Sequence, residues 1–131
     1  MPVDISFTST LSGGIDSTLV STFASDFGNK KINTFFAQSS ESTNQLDELE
    51  ISLQTADKLN TFHQVTRIDS EEIIDPIKRL SKNGFEGQLE CTIPFEMLAH
   101  FVREQGFKVI LVSDGPDELA GGYLIDKKAY G

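Results

Sequence analysis

Hydrophobic and polar positions along the chain follow two different rhythms. Val3, Ile5, Phe7 and Ser9 alternate with polar residues up to Leu11, the period of a strand. At Ile15 the spacing lengthens. Ile15, Leu19, Val20, Phe23, Ala24 and Phe27 recur at helical intervals on one face, with Gly28 placed to end the helix. Ile32 to Ala37 predicts a second strand. Leu46, Leu49, Leu53 and Ala56 mark a second helix, starting after Ser42 or Asn44 and ending near Asn60. Phe62 to Ile68 reads as a third strand. Ser70 to Leu80 is helical in pattern but carries Pro76, which kinks or divides it. Pro94, suited to a first helical turn, opens a helix defined by Phe95, Leu98, Phe101 and Val102 and closed by Gly106. The run "KVILVS", Lys108 to Ser113, is nearly all apolar, as expected of a strand buried on both faces of a parallel sheet.

The order β-α-β-α-β-α-α-β predicts a single α/β domain over residues 1–131, with no repeat or linker. Its expected fold class is a doubly wound, Rossmann-like parallel sheet of about four strands with helices on both faces. Such sheets bind ligands beyond the carboxyl ends of the strands, near the point where strand order reverses. Two small, acidic, glycine-bearing loops fall at such ends: "LSGGIDST" after the first strand and "SDGPDELAGGY" after the fourth.

Composition narrows the function classes. Twenty acidic against 11 basic side chains give a net charge of −9, which repels nucleic-acid backbones and leaves no broad basic patch. No apolar run approaches the roughly 18 residues of a spanning helix, and the N-terminus lacks the pattern of a signal peptide, so no membrane partner is expected. A single cysteine, Cys91, fits a reducing compartment, and the expected location is the cytoplasm.

The first loop has the chemistry of a phosphate site. Gly13 and Gly14 allow close backbone approach, and the following helix starts with unpaired amides carrying partial positive charge. Ser12, Ser17 and Thr18 add hydroxyls. Asp16, an anion beside an anion site, makes sense with a divalent cation between it and the phosphates. An ordinary helix cap accounts for Ser and Asp here but not for two glycines between strand and helix. Neither the G-x-G-x-x-G nor the G-x-x-x-x-G-K-[ST] pattern is present.

"SGGIDS" resembles the S-G-G-x-D-S pyrophosphate loop of the ATP pyrophosphatases. Within that superfamily, "SDGPDELAGGY" is similar to the "SGEGxDELFGGY" stretch of asparagine synthetases, and "IPFEMLAHFVREQGFKVILVSDG" resembles the segment leading into it. The resemblance implies the synthetase part of a glutamine-hydrolysing asparagine synthetase. ATP, with Mg2+ as cofactor, would activate the side-chain carboxylate of aspartate as an acyl-adenylate, and ammonia would then displace AMP. It further implies that Leu11, Ser12, Gly13, Gly14, Asp16 and Ser17 hold ATP phosphates, with Ala37 and Gln38 contacting adenine through their backbone. Val112, Ser113, Gly115 and Asp117 would complete the ATP site, and Asp16 and Asp117 would share the metal. Asp114 stands where the family has the glutamate proposed as base toward ammonia, and is one methylene shorter.

Two absences relative to the family shape the expectation. The glutaminase domain begins with a cysteine after Met1, whereas this chain has Pro2, so ammonia is expected from a separate or missing glutaminase domain. The family also continues past "GGY" with a helical region that supplies a catalytic lysine, so the domain is expected to be incomplete at its C-terminus. Two alternatives stay open: another ATP pyrophosphatase, such as a β-lactam synthetase-like enzyme, an NAD synthetase or a tRNA-modifying ligase, or a non-catalytic ATP-binding module. His63 and His100 are read as surface or half-buried side chains, Cys91 as a small buried residue, and Glu41 to Glu50 as a solvated helix face.

Overall fold

The computed structural model describes residues 6–28, 31–39, 45–84, 89–116 and 119. Four parallel strands, β1 (Phe7–Thr10), β2 (Asn33–Ser39), β3 (Phe62–Ile68) and β4 (Val109–Leu111), form a sheet in the order β3-β2-β1-β4. The chain steps outward from β1 to β2 to β3 and then returns to the far side of β1, so strand order reverses between β1 and β4. Helices α1 (Ile15–Gly28) and α2 (Gln45–Lys58) make the outward crossovers, and α3 (Ile74–Lys82) and α4 (Leu89–Glu104) make the return. The predicted doubly wound α/β fold is the observed one.

Register shows which side each helix covers. Ser9, Thr34 and His63 lie in one row across β1, β2 and β3, while Thr10, Phe35 and Gln64 lie in the next. Successive side chains alternate between faces. Ser9 meets Ser21 of α1, and Phe35 packs with Leu98 and Val102 of α4, so the two helix layers lie on opposite faces. Phe35 is fully buried and meets Phe101 and Phe107 edge-on, each with a centroid separation of 5.8 Å. This aromatic centre is the main apolar core.

The other face is built differently. Thr34, Ser9, Ser21 and Ser52 are fully buried there. Their hydroxyls are paired: Ser21 Oγ lies 3.0 Å from Ser9 Oγ, Thr34 Oγ1 lies 2.9 Å from Thr61 Oγ1, and Ser52 donates to the Leu49 carbonyl at 2.8 Å. Helix α1 presents Ser17, Ser21 and Ala24 to the sheet. Small side chains let helix and sheet approach closely, and the hydrogen bonds offset the cost of burying the hydroxyls.

Several expectations are corrected by this packing. Of the apolar residues expected to share one face of α1, Ala24 is buried, whereas Ile15, Leu19, Phe23 and Phe27 point away from the sheet. On α2, Ala56 is buried as expected, but Leu53 is half exposed and Ser52 takes an inner position. The expected Leu46 contact lies outside the described side chains, as does that of Cys91. Helix α4 starts at Leu89, before Pro94, which therefore sits inside the helix rather than at its start. The division foreseen near Pro76 falls earlier: a 3₁₀ turn, Ser70–Glu72, precedes α3, leaving Pro76 in a first turn where no donor is lost. Strand β4, expected to be buried on both faces, lies at the sheet edge among the described residues, and Val109 is exposed.

Helix ends follow local chemistry closely. Asn60 and Gly106 both have positive φ, at 52° and 87°. Each is followed by an amide that reaches back to the helix, Thr61 to Ala56 O at 3.0 Å and Phe107 to Val102 O at 3.2 Å. These are Schellman closures, and they return the chain to the sheet. Arg79 of α3 grips Glu96 of α4 with two nitrogens, one at 2.9 Å, fixing the angle of the return layer.

Candidate functional site

The strand-order reversal sets the two glycine-bearing loops side by side. β1 pairs with β4 in parallel, Ser9 opposite Leu111, so both strands end at the same edge. The hydroxyls of Ser9 and Thr10 each lie 3.4 Å from the Leu111 carbonyl oxygen, tying the root of one loop to the root of the other. Residues 11–14 and 112–115 therefore leave the sheet side by side at the carboxyl ends of β1 and β4.

The first loop is braced from within. Leu11 donates its N–H to Phe35 O at 2.9 Å and its side chain is fully buried, so it anchors the loop to β2 rather than offering a donor outward. Ser17 is buried at 4% exposure and accepts the Ser12 N–H at 3.2 Å; its oxygen lies 3.0 Å from Ser12 Oγ and 3.2 Å from the Gly14 carbonyl. Its hydroxyl shapes the turn. Thr18 N–H to Gly14 O, at 3.0 Å, is the first bond of α1, so the amides of Ile15, Asp16 and Ser17 precede the intrahelical ladder.

The two adjacent glycines have different physical reasons. Gly13 has φ +84°, and a Cβ there would meet Ile51 Cγ2 at 2.5 Å and Ser52 N at 2.9 Å. Its bare α-carbon is where α2 seats against the loop. A Cβ on Gly14 would meet only Ser12 Oγ, at 3.5 Å. The close approach that the sequence assigned to both glycines is thus taken by α2 at Gly13, and open space remains at Gly14. Asp16, on the first turn of α1, is partly exposed.

The second loop repeats the plan. Val112 and Asp114 are exposed and Ser113 is partly buried. Gly115 has φ +113° with nothing within 4 Å of a would-be Cβ. Its carbonyl accepts the Leu119 N–H at 3.1 Å, so a helical turn starts at Pro116. That turn was not foreseen, although Pro at a first helical position was its signal. Asp117, expected as a pyrophosphate and metal residue, lies outside the described residues.

Ala37 and Gln38 occupy the carboxyl-terminal part of β2, beside β1, and pair with Thr66 and Arg67 of β3. Thr66 and Arg67 also line a cleft of about 230 Å³ against α3 and α4, together with Glu72, Arg79 and His100. Ala37 also packs against the Phe35 core.

The two histidines lie on β3 and α4. His63 bonds Thr34 Oγ1 through Nδ1 at 2.9 Å, while its buried Nε2 has no partner. Burial lowers the pKa of this imidazole below its ordinary value, because the charged form loses solvation. His100 is exposed, 3.5 Å from Glu104 on the next turn of α4. Among the described residues no three His, Cys, Asp or Glu side chains converge on a metal position. No helix among them is long and apolar enough to cross a membrane.

Known proteins share this fold. An NMN synthetase from Francisella tularensis superposes with a TM-score of 0.58 at 21% identity, covering 91% of this chain and 49% of that one. An NH3-dependent NAD synthetase from Campylobacter jejuni superposes with a TM-score of 0.56 at 19% identity, covering 90% of this chain and 51% of that one. By sequence, the chain is 28% identical over 139 residues to a glutamine-hydrolysing asparagine synthetase of Zea mays, with 96% of this chain aligned to 23% of the relative. A probable glutamine-hydrolysing asparagine synthetase of Schizosaccharomyces pombe is 28% identical over 132 residues, 87% of this chain and 24% of the relative. The chain thus spans about a quarter of the length of these relatives. The family model for asparagine synthase matches residues 1–131, the whole sequence, and the chain belongs to that family.

Proposed function

We propose that this chain binds ATP across the β1 and β4 loops and serves the synthetase half of an ATP pyrophosphatase-type, amide-forming ligase. Its preferred substrate in this reading is aspartate. The observation that carries the proposal is the pairing of two glycine-bearing loops where strand order reverses between β1 and β4, cross-tied at Leu111 O. Open space at Gly14 and the leading amides of α1 suit the β- and γ-phosphates. Ser12 borders that space. Leu11 and Ser17 hold its shape, and the backbone of Ala37 and Gln38 receives the adenine.

In the first step the substrate carboxylate oxygen attacks the α-phosphorus and the bond to the β-phosphate oxygen breaks, releasing pyrophosphate. In the second, ammonia attacks the acyl carbon and AMP leaves, with a proton passing from nitrogen to Asp114. Ammonia comes from a glutaminase domain or a separate partner. Backbone donors around Gly14, Ser113 and Gly115 stabilise charge that grows on the leaving pyrophosphate. Asp16, on the first turn of α1, and Asp117 would hold a nucleotide-bound Mg2+, which would supply neutralisation of the pyrophosphate charge.

The test is direct. With Mg-ATP, aspartate and ammonium, pyrophosphate and asparagine should form in equal amounts. ATP binding without aspartate-dependent pyrophosphate release would reject the ligase and leave a nucleotide-binding module. Asp16→Asn should weaken Mg-ATP binding at least tenfold, about 1.4 kcal/mol, and an unchanged affinity would remove Asp16 from the metal.

A further inference from the structure

Three neighbours hold the first loop, and they do so by different forces. Leu11 bonds Phe35 of β2 at 2.9 Å and Ser12 bonds Ser17 of α1 at 3.2 Å, so both of these supports are hydrogen bonds. At Gly13 the support is a van der Waals contact with α2: a Cβ there would lie 2.5 Å from Ile51 Cγ2, 2.9 Å from Ser52 N and 3.0 Å from the Ile51 carbonyl carbon. That spacing admits a hydrogen on the α-carbon but not a methyl group. We propose that Ile51 is a positioning residue for the nucleotide phosphates, its Cγ2 methyl holding Gly13 in the left-handed conformation that aims the amides beyond it. The proposal rests on the ATP reading given above.

The need for such a contact lies in the glycine pair. Glycine populates positive and negative φ about equally, so an unsupported Gly13–Gly14 pair spreads over many conformations. In the folded chain Gly13 has φ +84°. That angle sets the course from Ser12 into the leading amides of α1, and only amides that converge make an anion site. A contact that removes the other conformations before the ligand arrives lowers the ordering cost of binding. Ser52 cannot tune this contact, because it presents its backbone nitrogen while its hydroxyl is turned to Leu49 O at 2.8 Å. Ile51 can. Its β-branch is the group that meets Gly13, and a β-branched side chain keeps essentially one χ1 rotamer in a helix. Ile51 is 48% exposed, so replacing it leaves the buried core intact.

Side-chain shape separates this role from a general loss of packing. Ile51→Val keeps the β-branch, Ile51→Leu moves the branch one carbon outward with the same atoms, and Ile51→Ala removes it. In calorimetric titrations, ATP and inorganic pyrophosphate should bind Ile51→Val as tightly as the parent, and Ile51→Leu and Ile51→Ala about three- to tenfold more weakly, the range for a residue that acts on a site without touching its ligand. Amide hydrogen exchange without nucleotide should quicken over residues 11–17 in Ile51→Leu and Ile51→Ala and stay at the parent rate in β3. Affinity and loop exchange equal in all three variants would overturn the proposal, as would Ile51→Val behaving like Ile51→Ala. Exchange that quickens across the whole sheet would also overturn it, since Ile51 would then contribute to stability alone. A parent that binds neither ATP nor pyrophosphate would reject the ATP reading instead, and the exchange rates would then decide the Ile51 contact by themselves.

Discussion

Replacing Gly13 by alanine separates the structural reason for the first glycine from a ligand-based one. At φ +84° an alanine Cβ crowds the backbone, which costs about 1–2 kcal/mol. The same Cβ meets Ile51 Cγ2 at 2.5 Å and Ser52 N at 2.9 Å, so α2 must shift, adding about 1–3 kcal/mol of overpacking. The sum, about 2–5 kcal/mol, is a large part of the 5–15 kcal/mol that stabilises a typical domain, and it corresponds to a fall in melting temperature of roughly 3–5 °C per kcal/mol. Gly14→Ala, which meets only Ser12 Oγ at 3.5 Å, should cost less than about 1 kcal/mol. Urea denaturation of both variants without nucleotide is the assay. Adding Ile51→Ala to Gly13→Ala should recover part of the loss, because the side-chain clash disappears while Ser52 N stays in place. A Gly13→Ala midpoint within about 0.5 kcal/mol of the parent would refute the packing argument, as would strict additivity in the double variant.

Other outcomes follow from the same geometry. Ser17→Ala should destabilise by about 1–2 kcal/mol, since the Ser12 N–H loses its acceptor, and should also weaken ATP binding; a full-affinity variant with the expected stability loss would confine Ser17 to folding. Phe35→Ala should cost about 3–5 kcal/mol in denaturation, because a fully buried ring at the centre of the α4 face is lost. His63 has a folded pKa below its ordinary 6.5, so the unfolded chain binds more protons between the two values. Its contribution is therefore fully present above about pH 6.5 and is lost as pH falls through the folded value. The parent should lose more stability than His63→Phe between pH 7.5 and 5; equal losses would show that this histidine contributes none of the acid sensitivity.

Most of the fold was legible because its signals are local. The third strand was read over the same residues that the structure assigns to it, Phe62 to Ile68, and Gly106 and Asn60 end their helices through left-handed closures that a short stretch of chain specifies. The first loop was legible as a strand-glycine-helix junction, and the second as a glycine-bearing loop after a strand, without its helical turn. Errors arose where locality failed. Pro94 was taken as a helix start because its ring suits a first turn, yet α4 continues for five residues before it. "KVILVS" has the composition of a central strand, but position in the sheet depends on which strands are neighbours, and β4 has β1 alone among the described residues.

Periodicity in the sequence determines that α1 is a helix with a large apolar stripe, but not which way that stripe points. Apolar surface is satisfied equally by any partner, so the choice falls to shape: Ser17, Ser21 and Ala24 permit a closer approach to the sheet than Phe23 or Phe27, and their hydroxyls find partners in Ser12, Ser9 and the Thr10 carbonyl. The glycine pair divides in the same way. "SGGIDS" specifies a loop that can approach something closely, and the folded chain decides that Gly13 approaches α2 while Gly14 faces open space. Those contacts join residues far apart in sequence, and only the assembled sheet brings them within reach.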